Sequence, residues 1–109
     1  LLSGKHNITI ENGSTFEMDL ALTNDDDSLY DLDGYTVDMQ IRNSMGNLIL
    51  DCEQYISIIN TNHISVDIPA TATVDIAETA GSYQVEVYTG AKEYSVLRGA
   101  VEFVEAIIK

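Results

Sequence analysis

The sequence predicts an all-β chain folded as a sandwich or barrel of about seven to nine strands, and three observations predict it. Apolar and polar residues alternate over long stretches; Tyr35, Val37, Met39 and Ile41 take turns with Thr36, Asp38, Gln40 and Arg42. Gly, Asn and Asp clusters punctuate these runs every 8–12 residues or so, the rhythm of short antiparallel strands. Helical periodicity is nearly absent. At 109 residues the chain reads as a single domain, 1–109, long enough to bury roughly two-thirds of the surface its unfolded form exposes.

Strands are expected at about 7–11, 15–23, 35–42, 48–52, 56–59, 63–68, 82–89, 93–98 and 100–105. Asn12-Gly13 is the strongest short turn signal. A two-residue loop there would set Ile8 opposite Glu17, on the face away from Phe16 and Met18. That loop is therefore odd or bulged, or the first strand leaves for the other sheet. A four-residue loop at 44–47 sets Ile41 opposite Leu50 and Met39 opposite Cys52, which predicts a buried, unreactive cysteine. A three-residue loop at 60–62 pairs Ile58 with Ile64 and Ile56 with Val66. A two-residue turn at Gly90-Ala91 pairs Val87 with Tyr94 and Val85 with Val96.

Near the end the inward positions switch from even (Tyr94, Val96) to odd (Val101, Phe103). An extra residue at Gly99, in a bulge, restores the face. Residues 69–81, "PATATVDIAETAG", break the alternation and predict a short helical turn across one end, closed by Gly81. Tyr83 lies two residues before the inward Val85. Immunoglobulin-like sandwiches place a corner tyrosine there, with Val85 at the usual cysteine position.

Charge excludes several partners. With 18 acids against 5 bases the formal net charge is −13, a field that repels phosphate backbones and anionic lipid; neither nucleic acid nor membrane is an expected partner. No apolar run approaches the length of a membrane span, about 18 residues, and the start, "LLSGKHNITI", has no charged region leading into an apolar one. The chain reads as soluble. It begins at Leu1 without a methionine, which points to removed residues or a longer parent. Cys52 has no second cysteine to pair with, so it is silent about redox compartment.

The acidic stretch at 24–34, "NDDDSLYDLDG", is the strongest metal candidate, with Asp25, Asp27, Asp31 and Asp33 as possible calcium ligands. It departs from EF-hand spacing, which would need glycine where Tyr30 stands, and a solvated turn is the favoured reading. His6 and His63 lack the spacing of a ligand pair or a general base. No G-x-S-x-G elbow or triad pattern occurs, so neither catalysis nor a cofactor is expected. Two sequons, at Asn7 and Asn12, are read as ordinary asparagines. Parity sends Tyr35, Tyr83 and Tyr94 inward and leaves Tyr30, Tyr55 and Tyr88 as outward candidates. With Arg42, at the end of its strand, these three are the candidate interface residues.

The order of signals resembles a recurrent bacteriophage structural module. "ENGSTFEMDLAL" (11–22), "YDLDGYTVDMQIRNSMGNLIL" (30–50), the Ala/Thr-rich crossing, "AGSYQVEVYTG" (80–90) and "VLRGAVEFVEAI" (96–107) are similar to the immunoglobulin-like β-sandwich of phage baseplate and tail proteins, as in the N-terminal domain of upper-baseplate proteins. The most specific piece is D-L-x-G-[YF]-x-x-x-x-[QI]-[IV]-R, met by Asp31, Leu32, Gly34, Tyr35, Gln40, Ile41 and Arg42. The resemblance implies an immunoglobulin-like antiparallel fold and a non-enzymatic virion component. Such a component docks neighbouring virion proteins through edges and end loops, in a symmetric homo- or hetero-oligomer. Larger relatives continue into a trimerising or receptor-binding part, whereas this sequence stops at Lys109. Capsid decoration (a cement role) is an alternative, and so is an adhesin-like module reading host glycans through exposed tyrosines and the acidic loop. Net charge adds an expectation: contacts between copies strengthen with added salt or divalent cations, and contacts with a basic partner weaken.

Overall fold

In the computed structural model, which describes residues 4–105, the alternation resolves into nine strands. They are β1 (Gly4–Lys5), β2 (Ile8–Asn12), β3 (Phe16–Ala21), β4 (Thr36–Arg42), β5 (Leu48–Asp51), β6 (Ile56–Ile58), β7 (His63–Ile68), β8 (Ala80–Thr89) and β9 (Lys92–Glu105). A 3-10 turn covers Glu53–Tyr55 and a short helix, α1, covers Ala70–Thr73. The last residues of the closing stretch, Ala106 and Ile107, lie outside the described residues.

The larger sheet has the order β1-β9-β8-β4-β5, with β2 also on β9, and the smaller sheet is β3-β7-β6. This is immunoglobulin topology. Reading β3 as strand B, β4 and β5 are C and C′, β6 and β7 are D and E, and β8 and β9 are F and G. The first strand departs from a fully antiparallel layout, because β1 and β2 run parallel to β9. Of the three resolutions open at Asn12-Gly13, the chain takes the change of sheet.

Pairing follows burial. Met39, Ile41, Val85 and Val87 of the larger sheet and Ile64, Val66 and Ile68 of the smaller are almost wholly buried between the layers. Ile41 faces Leu50, Ile56 and Ile58 face Val66 and Ile64, and Val87 faces Tyr94, all as parity requires. The Cys52 amide donates to the Met39 carbonyl at 2.9 Å. Between β4 and β5, however, the reversal is residues 44–46, closed by the Asn43 amide on the Asn47 carbonyl at 2.9 Å. That is one residue shorter than expected. A bulge that makes Ile49 the extra residue then restores the inner register.

Three expectations need correction. Val85 faces Leu97, not Val96, because the β9 bulge falls at Val96, where the register shifts between Val85 and Glu86. Both Val96 and Leu97 are buried. Without the extra residue Val101 and Phe103 would turn outward, at about 1.5–3 kcal/mol for each side chain. Gly99 serves another purpose. A Cβ there would collide with the His6 carbonyl, so glycine admits the first strand. Gly81 does not close the helical turn. It lies inside β8, where a Cβ would meet the Arg42 carbonyl at 2.6 Å.

Tyr83 is buried as expected, but it makes no corner. Its hydroxyl donates to the carbonyl of His6, in the break between β1 and β2. The two segments keep one register on β9, with Gly4 opposite Leu97 and Ile8 opposite Val101. Across the break the His6 amide donates to the Arg98 carbonyl at 2.9 Å. The Asn7 side-chain oxygen accepts the Ala100 amide at 3.0 Å. The crossing is tied down similarly: Thr73 Oγ1 accepts the Gly13 amide at 3.1 Å, and Asn12 Nδ2 donates to the Ile76 carbonyl at 3.2 Å.

Candidate interaction surfaces

The acidic stretch folds into two separate turns at one end of the sandwich. An isolated bridge between Thr23 and Leu29 closes the base of the first, whose tip is Asp25, Asp26 and Asp27. The Asn24 amide donates to the Ser28 carbonyl at 2.8 Å, the Asp27 amide to the Asn24 carbonyl at 3.0 Å, and Asp27 takes φ 68°. The Asp26 carboxylate accepts the Ser28 hydroxyl and, at 3.1 Å, the Ser28 amide, which holds its pKa below the ordinary value. The second turn has the Asp31 carboxylate accepting the Asp33 amide at 2.9 Å and Gly34 at φ 81°. The four calcium candidates, Asp25, Asp27, Asp31 and Asp33, are thus divided between two turns. Among the described residues no three His, Cys, Asp or Glu side chains converge to hold a cation.

Beneath these turns Leu32 is buried, and its amide donates to the Thr61 carbonyl at 2.8 Å. Asn62, also buried, donates from Nδ2 to the Leu22 carbonyl at 3.0 Å and accepts the Leu22 amide on its own carbonyl at 2.9 Å. Sequence reasoning missed Asn62, since it reads as one more polar residue of a hairpin loop. Tyr30, expected outward, is half-buried against the core. Its hydroxyl lies 3.0 Å from that of Tyr35, with the rings edge to face at 5.9 Å. That hydrogen bond, with burial, pushes the Tyr30 phenol up to about 12. Tyr35 and Tyr94, expected inward, are half-buried on the same core.

The outer face of the larger sheet is polar. Asp51, Gln40, Gln84, Arg98 and Lys5 form one cross-strand row, and Arg42 stands one row away, opposite Ser82. Asp38 and Glu86 form the neighbouring row on the other side. Lys5, Arg42, Arg98 and the two glutamines line a shallow depression of ≈ 520 Å³. Arg42 is fixed over it: Nη1 donates to the Gly46 carbonyl at 2.9 Å and Nη2 to Gln40 Oε1 at 2.8 Å. Asp38 is held above the ordinary carboxylate range, mainly by burial, against the lowering effect of the Met39 amide and with Asp51 adding to the rise.

Of the remaining interface candidates, Tyr88 is exposed on this same face, paired with Thr36. Tyr55 is half-buried in the 3-10 turn, where its hydroxyl accepts from Gln54 Nε2 at 2.9 Å. Arg42 and Tyr88 therefore share a surface, whereas Tyr30 and Tyr55 belong to other parts of the molecule. Exposed apolar side chains mark the ends. Leu29 and Ile59 lie at the acidic end, and Met45, Leu48 and Val74 at the opposite one. Cys52 has no exposed surface, and burial, then Asp51 and Asp38, push its thiol up to about 12.

No protein-family model and no curated protein sequence matches the chain. Among solved structures it is similar to a family 123 glycoside hydrolase from Clostridium perfringens, at 14% identity and TM-score 0.49, over 97% of this chain and 24% of that one. It is also similar to the extracellular fragment, with its stalk, of novel immune-type receptor 11 from Ictalurus punctatus, at 13% identity and TM-score 0.44, over 100% of this chain and 90% of that one. The chain thus spans about a quarter of the hydrolase's length.

Proposed function

We propose that this domain is a non-enzymatic structural subunit of a bacteriophage virion, a tail, baseplate or capsid-surface component that docks neighbouring virion proteins. The observation that carries the reading is the placement of its exposed large apolar side chains. Leu29 and Ile59 stand at one end, Met45, Leu48 and Val74 at the other, so a rigid sandwich presents sticky groups at both ends while its outer faces stay mostly polar. A subunit that must meet a neighbour on each side is served by that arrangement. The resemblance of the Asp31-to-Arg42 pattern to phage modules supplies the setting.

The test is direct. Virions of a phage encoding this chain, purified and digested for mass spectrometry, yield its peptides in fixed stoichiometry. A high-resolution map of the particle contains a two-sheet density that fits the sandwich. Absence from purified particles overturns the reading. Specific retention on a host-glycan array, lost on mutation of Tyr88, replaces it with an adhesin role.

A further inference from the structure

Immunoglobulin-type sandwiches place their first strand beside strand B. Here the first strand runs along β9 instead, and among the described residues β3 pairs only with β7. The Leu22 amide donates to the Asn62 carbonyl at 2.9 Å, which sets the phase of that ladder. Phe16, Met18 and Leu20 turn their main-chain groups towards β7, and Glu17, Asp19 and Ala21 turn theirs away from it. The edge therefore presents the amides and carbonyls of Glu17, Asp19 and Ala21 as a template for one more strand.

The flank beneath that edge is apolar. Between β3 and the first strand runs a groove of ≈ 410 Å³, with Met18, Leu20 and Leu22 on one wall and Gly4, Val96 and Leu97 on the other. Phe16, Met18 and Leu20 face the core yet stay half-buried, whereas their partners Ile68, Val66 and Ile64 are almost wholly buried. The outer side of the same edge is acidic. Glu17 stands directly opposite Asp67, Asp19 follows on the same side, and β3, β6 and β7 contain no Lys or Arg. Lys5, on the neighbouring β1, lines the depression on the outer face of the larger sheet.

A second copy does not fit this edge. Two β3 strands paired with each other would set Glu17 and Asp19 against the same carboxylates, and like charges directly opposite are destabilising. A strand with apolar residues on one side and lysine or arginine on the other meets every feature. Its main chain continues the ladder, its apolar side chains fill the groove, and its cations stand opposite Glu17 and Asp19 and relieve the repulsion between Glu17 and Asp67. We propose that β3 receives an extended segment of another protein, alternating apolar and basic, as an added strand of the smaller sheet. The net charge of −13 draws such a segment in. The inference stands apart from the virion reading: a chain absent from particles keeps this edge, and an edge that binds nothing leaves the apolar ends as they are.

A capped peptide of alternating lysine and valine, about eight residues long, tests it when titrated into the purified chain and followed by amide NMR and hydrogen exchange. In the free chain the Glu17, Asp19 and Ala21 amides are expected to exchange fast while those of Met18 and Leu20 are protected. Saturating peptide slows the three about tenfold or more and shifts their resonances, with Gln84 and Tyr88 on the other sheet unmoved. A peptide of the same composition with its lysines grouped before its valines binds about tenfold more weakly or not at all, which separates register from charge. Glu17→Lys with Asp19→Lys, and Asp19→Pro alone, each weaken binding about tenfold or more. The proline removes an outward amide and no bond to β7, and an unchanged β-sheet circular dichroism spectrum certifies each variant's fold. Equal binding of the grouped peptide, no binding of the alternating one, or shifts centred away from β3 overturns the inference. So does protection of the Glu17, Asp19 and Ala21 amides in the free chain, which would mean that the chain itself or a second copy already covers the edge.

Discussion

Tyr83 and Cys52 show how single side chains set stability here. The Tyr83 hydroxyl satisfies the His6 carbonyl at the one break between β1 and β2. Tyr83→Phe is expected to lower unfolding free energy by about 1–2 kcal/mol in urea titration. Cys52 ties stability to alkaline pH. Up to the ordinary thiol value, 9.0, folded and unfolded chains both keep the proton and pH has no effect through this group. Above it only the unfolded chain ionises, until the folded thiol follows at about 12. Stability therefore falls across that window by about 1.4 kcal/mol per pH unit. Cys52→Ala should flatten this alkaline limb, whatever it does to stability at neutral pH. A thiol reagent should label Cys52 only through global unfolding.

At the scale of elements, the interrupted first strand is the part most dependent on a single residue. Its pairing is with β9, and Gly99 makes the approach possible. Gly99→Ala forces a Cβ against backbone that cannot swing aside, so β1 and β2 must move off the sheet. Hydrogen exchange is expected to show the amides of Ile8, Ile10 and Asn12 losing protection selectively, while Met39, Val85 and Val87 keep theirs. Uniform loss would mean that the first strand and the core unfold together. The bulges at Ile49 and Val96 belong to the same scale. Each is a local irregularity kept because the alternative turns buried valine, leucine or phenylalanine into water.

For the whole molecule, charge dominates. The acidic turns are separated and their carboxylates are partly engaged by their own backbone, so calcium has no prepared site among the described residues. Calcium should raise the melting temperature no more than magnesium does at equal ionic strength; a calcium-specific rise of several degrees would show that the two turns close on an ion. Lowering the pH towards the pI near 4.1 removes the repulsion between copies, and light scattering should show solubility at its minimum there.

Much was legible in the sequence because a period of two converts directly into faces: the Ile58, Ile64, Val66 and Val87 partners follow from loop length and parity alone, whereas the Ile41–Leu50 pair and the inward position of Cys52 also need the Ile49 bulge that offsets a loop one residue shorter than expected. The extra residue in β9 was legible in kind but not in place. Parity demands one insertion between Tyr94 and Val101 without saying where, and the His6 carbonyl, far away in sequence, decides that Gly99 is needed for something else. The sequence by itself determined an acidic, two-layer β fold, since alternation and composition are local properties. Which sheet received the first strand, why Tyr30 turned inward to Tyr35, and how Lys5, Arg42 and Arg98 came to share one face were decided only by tertiary structure, because each depends on segments that meet only after the sheets have paired.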